Sequence, residues 1–545
     1  MHDRTAPYSR ILKSVDSRLE LRFLLDSDTA DQLRGTELFG SELTVLRPKK
    51  RIRQSFFDTP QRHMQNAGVE IRSVQGSGRI TQITRRRAVK GQASNFSFDI
   101  ETELPGEAGP YQPTITRFHA PTDALICAHQ ADLVPLVSLE LLQELSSQTH
   151  NGAEIGLSLE RCQVEADSHD ASQLQQLVLI HAAGDVKEFF DFARGISRRF
   201  RLRLASQSPL AIARRLLSGK QEAGIKAGKF VLAENATALD VARLAFDQAV
   251  SQIIANRTAA ADGDVDAIKQ LRVGLRRFRS LERLFRKAIQ HPALHQLVPV
   301  AKEYGKTLGY ARDWDVFSEQ TVAKILAAST LDGADRTILI ALKEGAESHR
   351  LSAKQHLRTA LNAEEFTDFC LRLKELTDIA NWSADGRHRL EIPAAEYAER
   401  ALGKRLRKVH AMAEDLASAP AHARHPLRVE LKKLRYAVQA FRPLYAKEVR
   451  KPYLASLSEL QDAFGVLNDA VVAREMALAA ARPTFQDRQL DIHRAMGASF
   501  AIGWSAQQLQ GQAETVYQAW LSFAAMQPFW RASQAGSARE RTPEF

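Results

Sequence analysis

The sequence predicts two unlike domains: an α+β domain of antiparallel strands closed into a barrel or tunnel, and then an all-α domain. Polar and apolar residues alternate in short runs between about residues 15 and 205, as is typical of half-buried strands. Beyond a glycine- and lysine-rich stretch only helical periodicity occurs, and one basic helical segment occurs there twice. A chain of 545 residues is long enough for two or three domains.

The strands of the first domain are predicted from alternation and from the turns that bound them. Leu19, Leu21 and Phe23 alternate with charged residues and indicate the first strand. A second strand ends near Phe56. Further strands are predicted at 69–74, 79–87, 95–104, 155–164 and, with a poorly defined apolar face, 174–180. With a helix predicted at 186–200, these strands form an α+β domain that can close into a barrel.

The boundaries of the two domains follow from composition. The first domain is predicted at 1–218 and a linker at 219–232, where Gly and Lys dominate and periodicity is lost. The helical domain is predicted at 233–530. The remaining segment, 531–545, is polar and rich in Ser, Gly, Arg and Glu, so we expect it to be disordered.

Composition limits the partners and the compartment. A net charge of +11 and a pI near 9.5 predict a polyanionic partner. The three cysteines have no CxxC spacing, which disfavours both a disulfide framework and a zinc site. The sequence has no apolar run of about 18 residues and no signal-peptide core. We therefore expect a cytoplasmic protein without a membrane partner.

The repeated segment is the strongest indication of function. It reads KQLRVGLRRFR from position 269 and HPLRVELKKLR from position 425. Each copy is followed by a second shared element, which begins at Gly309 (GYARDWD) in the first repeat and at Gly465 (GVLND) in the second. Arg272 and Gly309 are 37 positions apart, and so are Arg428 and Gly465. Equal spacing over this distance indicates that one helical unit was duplicated.

Each copy, taken as a helix, separates apolar from cationic residues. In the first copy Ile268, Leu271, Leu275 and Phe278 recur every three or four residues and form a buried seam. The cations predicted to bind an anion are Lys269, Arg272, Arg276, Arg279, Arg283, Arg312, His425, Arg428, Lys432, Lys433 and Arg435. Stacked like charges repel, whereas an ordinary solvated face alternates in sign.

Two alternatives remain for these cations. They can form a solvated basic face, which the duplication disfavours. Some can also be paired structurally with the acids of the second shared element, which are Asp313, Asp315 and Asp469. We expect Asp313 and Asp469 to orient arginines or to tie adjacent helices together.

The helical half resembles the CHAD domain. The matching blocks, in order over roughly 233–480, are AIKQLRVGLRRFRSLERLF, LGYARDWDVF, HPLRVELKKLRYAVQAF and LQDAFGVLNDAVVA. The resemblance implies two pseudo-symmetric helical bundles whose basic faces oppose each other and bind inorganic polyphosphate. The histidine of the family falls on Lys269 in the first copy and on His425 in the second. Lysine keeps the charge at that position but does not titrate near neutral pH.

The first half resembles the CYTH domain, the triphosphate tunnel fold. The matching segments are LELRFLL, SFFDTP, GVEIRSV, QITRR and DIETEL. The opening signature of the family, Glu-x-Glu-x-Lys, reads Arg18-Leu-Glu20-Leu-Arg22 here, and the stretch 175–182 has no carboxylate. The resemblance implies tunnel anion contacts at Arg22, Arg72, Arg85 and Arg87 and, if the tunnel is active, catalytic acids at Glu20, Glu101 and Glu103.

Three functions are compatible with these features. The favoured one is binding of inorganic polyphosphate without a cofactor, on cytoplasmic polyphosphate granules, with a catalytically degenerate tunnel. The first alternative is a triphosphatase acting on tripolyphosphate, which would need carboxylates to hold Mg²⁺ or Mn²⁺. The second, nucleic-acid binding, is disfavoured because base stacking needs exposed aromatic residues, and only Phe278 and Tyr436 adjoin the cations. The oligomeric state stays open.

Overall fold

The computed structural model of the chain contains two compact units. The residues that it describes are 19–39, 49–66, 69–76, 79–86, 98–104, 120–165, 173–205, 224–227, 232, 235–289, 291–328, 333–377, 382–417, 421–483 and 485–531. One unit comprises Met1–Ala223 and Asn362–Glu375, and the other comprises Gly224–Leu361 and Leu376–Phe545. We call them the sheet unit and the helical unit.

The sheet unit is built on one antiparallel sheet. Its strands are β1 (Glu20–Leu25), β2 (Lys49–Asp58), β3 (Val69–Gly76), β4 (Arg79–Arg86), β5 (Phe98–Leu104), β6 (Val134–His150), β7 (Ala153–Glu165), β8 (Gln173–Ala183) and β9 (Arg203–Leu204). They are ordered β5-β4-β3-β2-β6-β7-β8-β1-β9. The predicted fold class, an antiparallel sheet domain followed by an all-α domain, is confirmed.

Strand β6 lies between β2 and β7 and was not predicted. Its leucines fall at both odd and even positions, including the adjacent Leu141 and Leu142, so the period of two is obscured in the sequence. The poorly defined face predicted for 174–180 also has a structural reason. Leu177, Val178 and Leu179 are all buried, which shows that both faces of β8 are covered.

Among the described residues, five α-helices belong to the sheet unit, and one of them comes from a distant part of the chain. They are α1 (Ser27–Arg34), α2 (His63–Asn66), α3 (Ala120–His129), α4 (Val186–Phe200) and most of α11 (Glu364–Thr377). Helix α4 coincides with the predicted helix. It begins at its N-cap Asp185 and buries Phe189 and Phe190 completely.

Helix α11 lies within the segment predicted as the helical domain, yet it packs on the sheet unit. Thr367 donates a hydrogen bond to the carbonyl of Leu202 (3.1 Å). Arg198 of α4 donates to Asp368 (2.9 Å), and Phe366 is fully buried. Apart from this segment, the predicted domain boundaries stay a prediction, because most of the linker and residues 532–545 lie outside the described residues.

The helical unit contains the two repeated segments as equally long helices. Its helices are α5 (Ala238–Ala255), α6 (Arg257–Ala261), α7 (Val265–Phe285), α8 (Pro292–Val316), α9 (Ala323–Ala328), α10 (Gly333–Asn362), α12 (Ala384–His388), α13 (Ala394–Met412), α14 (Ala421–Phe441), α15 (Lys447–Ala480), α16 (Arg488–Gln507) and α17 (Gln512–Ala524). A π-helical turn, Phe317–Val322, joins α8 to α9. No helix among the described residues has the length and apolar character needed to span a bilayer.

Helices α7 and α14 each contain 21 residues and pack against each other. Helix α7 begins at Asp264, whose carboxylate accepts a hydrogen bond from the backbone NH of Ala267 (2.6 Å), as N-cap residues do. The predicted seams of both helices are buried, at Ile268, Leu271, Leu275, Phe278, Leu427, Leu431, Leu434 and Val438. Burial of these seams leaves the cationic residues on other faces of the same helices.

Candidate functional site

A cleft of about 260 Å³ lies between α7 and α14. It is lined by Val273, Arg276, Arg277, Lys432, Arg435, Tyr436, Gln439 and Gln461. We call it the interhelical cleft. Arg276 comes from the first repeat and Lys432 from the second, at matching positions. The structure therefore brings cations of both repeats to one surface of the molecule.

Lys432 lies close to three arginines of the two repeats. Burial and then the charges of Arg428, Arg276 and Arg272 together lower the pKa of its ammonium group to about 8, against the opposing charge of Asp469. Burial and the charge of Arg276 also lower the pKa of Arg272. Desolvation and like charges both disfavour the protonated form of a base. An anion bound here would favour the protonated form and so offset both effects.

Few carboxylates neutralise these central cations. Within the described part of the chain, no carboxylate forms an ion pair with Arg276, Arg428 or Lys432, and the buried Nε atoms of both arginines have no hydrogen-bond partner. Arg272 lies 3.9 Å from the carboxylate of Asp313. A buried N–H group without a partner is costly, which makes these atoms available donors.

Two of the three acids of the second shared element, Asp313 and Asp469, lie near this cluster. Burial raises the pKa of Asp313, Arg272 opposes the rise, and the charge of Asp469 adds to it. Asp469 in turn acts on Arg428, as Asp313 acts on Arg272. Asp315 is buried elsewhere and binds Arg350 and Lys354 of α10, each at 3.3 Å.

The repeated glycines differ in their surroundings. A Cβ atom on Gly309 would lie 3.4 Å from the guanidinium of Arg272. Arg272 therefore packs directly over this glycine. A Cβ atom on Gly465 would meet nothing within 4 Å. The repeated glycine thus lies against a cation in the first repeat but not in the second.

The register of the sheet places Arg22, Arg72 and Glu160 on one face, because residues directly opposite in an antiparallel ladder point the same way. The pairs that connect them are Arg22–Val178, Val178–Ser158, Gln176–Glu160, Glu160–Gln143, Leu139–Gln54, Phe56–Arg72 and Arg72–Ile83. We call it the polar face for these charged residues, and the same face carries the buried apolar cluster of Ile52, Phe56, Val137, Leu139, Leu141 and Cys162. Glu20 lies two positions before Arg22 on the same face. The side chains of Arg85, Glu101 and Glu103, and all of Arg87, lie outside the described residues.

Comparison with protein families gives a match for the helical part of the chain. The family model of the CHAD domain matches residues 244–478. This part of the chain is a CHAD domain. Helix α11 falls inside the matched span although it packs with the sheet unit. A comparison with curated proteins gave no match.

Solved structures that resemble the chain are distant. The CHAD domain from the plant Ricinus communis is 23% identical, with 56% of this chain and 98% of the other covered and a TM-score of 0.48. PptA from Streptomyces chartreusis is 16% identical, with 52% and 100% covered and a TM-score of 0.40. A putative adenylyl cyclase from Hippeastrum, described as having a dominant triphosphatase activity, is 14% identical, with 38% and 98% covered and a TM-score of 0.26.

Several predicted residues of the CHAD domain lie away from the cleft. Lys433 is held by the buried carboxylate of Glu430 (2.8 Å), which Arg405 and Lys408 also approach. Lys269, Arg283 and His425 are exposed, and Arg279 is half-buried; none of the four lines the cleft. Arg312 lies near Arg272 and Asp313, and Arg435 lines the cleft while donating to Gln461 (2.9 Å).

Five cleft residues of the CHAD domain were not predicted as binding residues, and one of them is the apolar Val273. Arg277 lines the cleft and donates to Gln252 (2.9 Å), and its adjacency to Arg276 in the repeat was an available signal. Tyr436, Gln439 and Gln461 also line it. The glutamines carry no sequence signal, because only the packing of α14 and α15 shows which uncharged side chains face the cations.

Sequence reasoning also missed Glu160 on the polar face. Glu160 is 5% exposed, and its carboxylate lies 3.5 Å from a terminal nitrogen of Arg22. Arg22 also forms an ion pair with Glu20. Glu160 is a single glutamate in the predicted strand 155–164. Its role depends on the residues of the neighbouring strands, which the sequence alone does not identify.

The described residues of the polar face do not fit a two-metal triphosphatase site. Such a site needs several carboxylate oxygens free to bind Mg²⁺ or Mn²⁺. Glu20 is paired with Arg22, and Glu160 accepts hydrogen bonds from three neighbouring side chains. Within the described ranges, no three His, Cys, Asp or Glu side chains are grouped so that they could hold a metal ion.

Proposed function

We propose that the CHAD domain of this chain binds inorganic polyphosphate at the interhelical cleft. The observation that carries the proposal is the position of Lys432, which lies near Arg272, Arg276 and Arg428 of both repeats. Cations from two helices then act on one ligand. The net charge of +11 supports a polyanion as that ligand.

The chemistry of the cleft suits phosphate. Arginine presents a planar fork of N–H donors that matches phosphate oxygens, and hydrogen bonds between charged groups are stronger than neutral ones. Arg276, which lines the cleft, and Arg428, which lies near Lys432 without lining it, have buried Nε atoms without a partner. A phosphate bound there would satisfy these donors and lower the repulsion among the guanidinium groups.

An inorganic polymer suits the cleft better than a nucleic acid does. Tyr436 is the one aromatic residue among those that line the cleft in the described structure, and Phe278 is fully buried. Binding of single-stranded nucleic acid usually combines a basic groove with several stacking aromatic residues. The cleft offers charge and hydrogen bonds, which linear polyphosphate and the shorter tripolyphosphate can use without bases.

The test is titration of the full chain with long-chain polyphosphate, followed by calorimetry. Changing Arg272, Arg276, Arg428 and Lys432 together to Ala should weaken binding about 10,000-fold, at about 1.4 kcal/mol per lost charged contact. The salt dependence of binding should also become shallower, since fewer counterions are released. No cofactor is required, so chelation of divalent metals should leave wild-type binding unchanged.

The control variant is Lys306→Ala/Arg400→Ala, which removes two exposed cations that are paired with Glu303 and Glu396. It should bind within about twofold of the wild type, as expected for exposed ion pairs of low energy. Equal competition by single-stranded DNA of the same charge would contradict selectivity for polyphosphate. An equal loss in the control variant would contradict the cleft as the site.

The cellular counterpart is attachment to polyphosphate granules in the cytoplasm. A fluorescent fusion of the full chain should co-localise with the granules, and the fourfold Ala variant should not. The sheet unit is proposed to be catalytically degenerate. Phosphate release from tripolyphosphate with Mg²⁺ or Mn²⁺, abolished by Glu101→Ala, would instead identify a triphosphatase.

A further inference from the structure

Three side chains form a row across the polar face of the sheet. Gln143 of β6 and Gln176 of β8 each lie directly opposite Glu160 of β7. Side chains directly opposite on neighbouring strands are close enough to interact. The row therefore places one carboxylate between two neutral amides of nearly the same size and shape as glutamate.

Both oxygens of Glu160 are used by this row. Oε1 accepts from Nε2 of Gln143 (2.7 Å) and from Oγ of Ser158 (3.1 Å). Oε2 accepts from Nε2 of Gln176 (2.5 Å) and lies 3.5 Å from Arg22. A buried carboxylate is stable when donors satisfy its lone pairs, and here uncharged donors supply most of that satisfaction.

These donors occupy the positions that a divalent cation would need. Mg²⁺ and Mn²⁺ bind carboxylate oxygens, whereas the amides turn N–H groups toward Glu160. A glutamate at position 143 or 176 would bring a second carboxylate against Glu160, which is stable only when a proton or a cation is shared between them. We propose that Gln143 and Gln176 replace a divalent metal ion as the partners of Glu160, so that Glu160 binds neither Mg²⁺ nor Mn²⁺.

Arg22 completes the arrangement. It lies between Glu20 and Glu160, so its charge is balanced by protein carboxylates. The row then acts as a hydrogen-bonded structural element, and Gln143 and Gln176 are the residues that determine whether a metal ion can bind at Glu160. The inference concerns the sheet unit alone and does not depend on polyphosphate binding by the CHAD domain.

The experiment is a Mn²⁺ titration of the full chain, followed by the electron paramagnetic resonance signal of free Mn²⁺. The wild type and Glu160→Gln should give the same curve, since Glu160 holds no metal. Gln143→Glu/Gln176→Glu should bind one additional Mn²⁺ per chain. The control Gln320→Glu/Gln355→Glu adds two acids at exposed glutamines of the helical unit and should add no such site.

Two results would overturn the inference. One is a Mn²⁺ ion bound by the wild type and lost in Glu160→Gln. The other is a folded Gln143→Glu/Gln176→Glu protein that gains no Mn²⁺. Thermal melting followed by circular dichroism establishes whether this variant folds. If it does not, the comparison of wild type with Glu160→Gln still decides whether Glu160 binds metal in the native protein.

Discussion

Arginines on the polar face of the sheet and arginines in the interhelical cleft differ in their partners. Arg22 lies between Glu20 and Glu160. Arg276 lies beside Arg272, Arg428 and Lys432, and within the described residues no carboxylate pairs with it. Both arginines are half-buried on regular elements. A cation of the first kind stabilises the fold, whereas one of the second kind is available to a ligand.

This difference shows why the basic residues of a chain cannot be read as a site by their number alone. Lys433 belongs to the same repeated segment as Lys432, yet Glu430 holds it at 2.8 Å. The hydrogen bond of Lys433, together with Lys408 and Arg405, keeps the pKa of Glu430 below its usual range against the opposing effect of burial. Neighbouring cations in one helix therefore have different roles.

The largest effect that separates the two regions should come from the same substitution made in each. Arg276→Gln should weaken polyphosphate binding about tenfold, as expected for one lost charged hydrogen-bond contact, with little change in stability. Arg22→Gln should leave binding within twofold and lower the free energy of unfolding, because Glu160 loses its cationic neighbour. Calorimetric titration and urea unfolding measure the two quantities. Equal losses of affinity in Arg276→Gln and Arg22→Gln would contradict the distinction between ligand-binding and structural arginines.

An intermediate effect should follow from the pKa of Lys432, which is about 8. Below this pH the ammonium group is charged, and above it the free cleft loses a cation. Polyphosphate affinity should therefore fall several-fold between pH 7 and pH 9, and the fall should be smaller in Lys432→Arg, because arginine stays protonated. Calorimetric titration across this range measures it. An identical fall in both proteins would assign the pH dependence to another group.

Stability should change with pH in the opposite sense. Lys432 has a lower pKa in the folded chain than its ordinary 10.5, so the unfolded chain binds more protons at this residue between pH 8 and the ordinary value. The contribution of Lys432 to the stability of the free protein should therefore rise as the pH rises through this window. Urea unfolding of wild type and Lys432→Met, compared at pH 7.5 and pH 10, measures this contribution of Lys432 to the free energy of unfolding.

The smallest effect should distinguish the two repeats. Gly309→Ala places a Cβ atom 3.4 Å from the guanidinium of Arg272, and we expect polyphosphate affinity to fall about twofold as this side chain shifts. Gly465→Ala meets nothing within 4 Å and should leave affinity unchanged. Each substitution should stabilise its helix by about 0.5–1 kcal/mol. A loss of affinity in Gly465→Ala alone would reverse the roles of the repeats.

Local pattern was sufficient to predict much of the fold. The 3.6-residue period of Ile268, Leu271, Leu275 and Phe278 predicted a helix with a buried seam, and that seam is buried. The duplication indicated that Arg276 and Lys432 are equivalent. Strand β6 was not predicted because its leucines occupy both odd and even positions, which hides a period of two.

The partners of each charge could not be predicted, because they depend on contacts between residues far apart in the sequence. Glu160 meets Gln143 and Gln176 only through the register of three strands. Glu430 meets Arg405 only through the packing of α13 against α14. Whether a charged residue belongs to a site or to the fold is therefore decided by tertiary structure.

Helix α11 has a practical consequence for dissecting the protein. The chain leaves the helical unit at Leu361 and returns at Leu376, so a cut in the predicted linker 219–232 does not separate two self-contained pieces. A fragment starting at 233 would carry Phe366 and Leu373, which are fully buried in the intact chain. It would lack Leu202 and Arg198, the partners of Thr367 and Asp368 in the sheet unit. The fragment with 1–218 would lack the same helix. Truncation is therefore expected to expose apolar surface on both pieces and to favour aggregation.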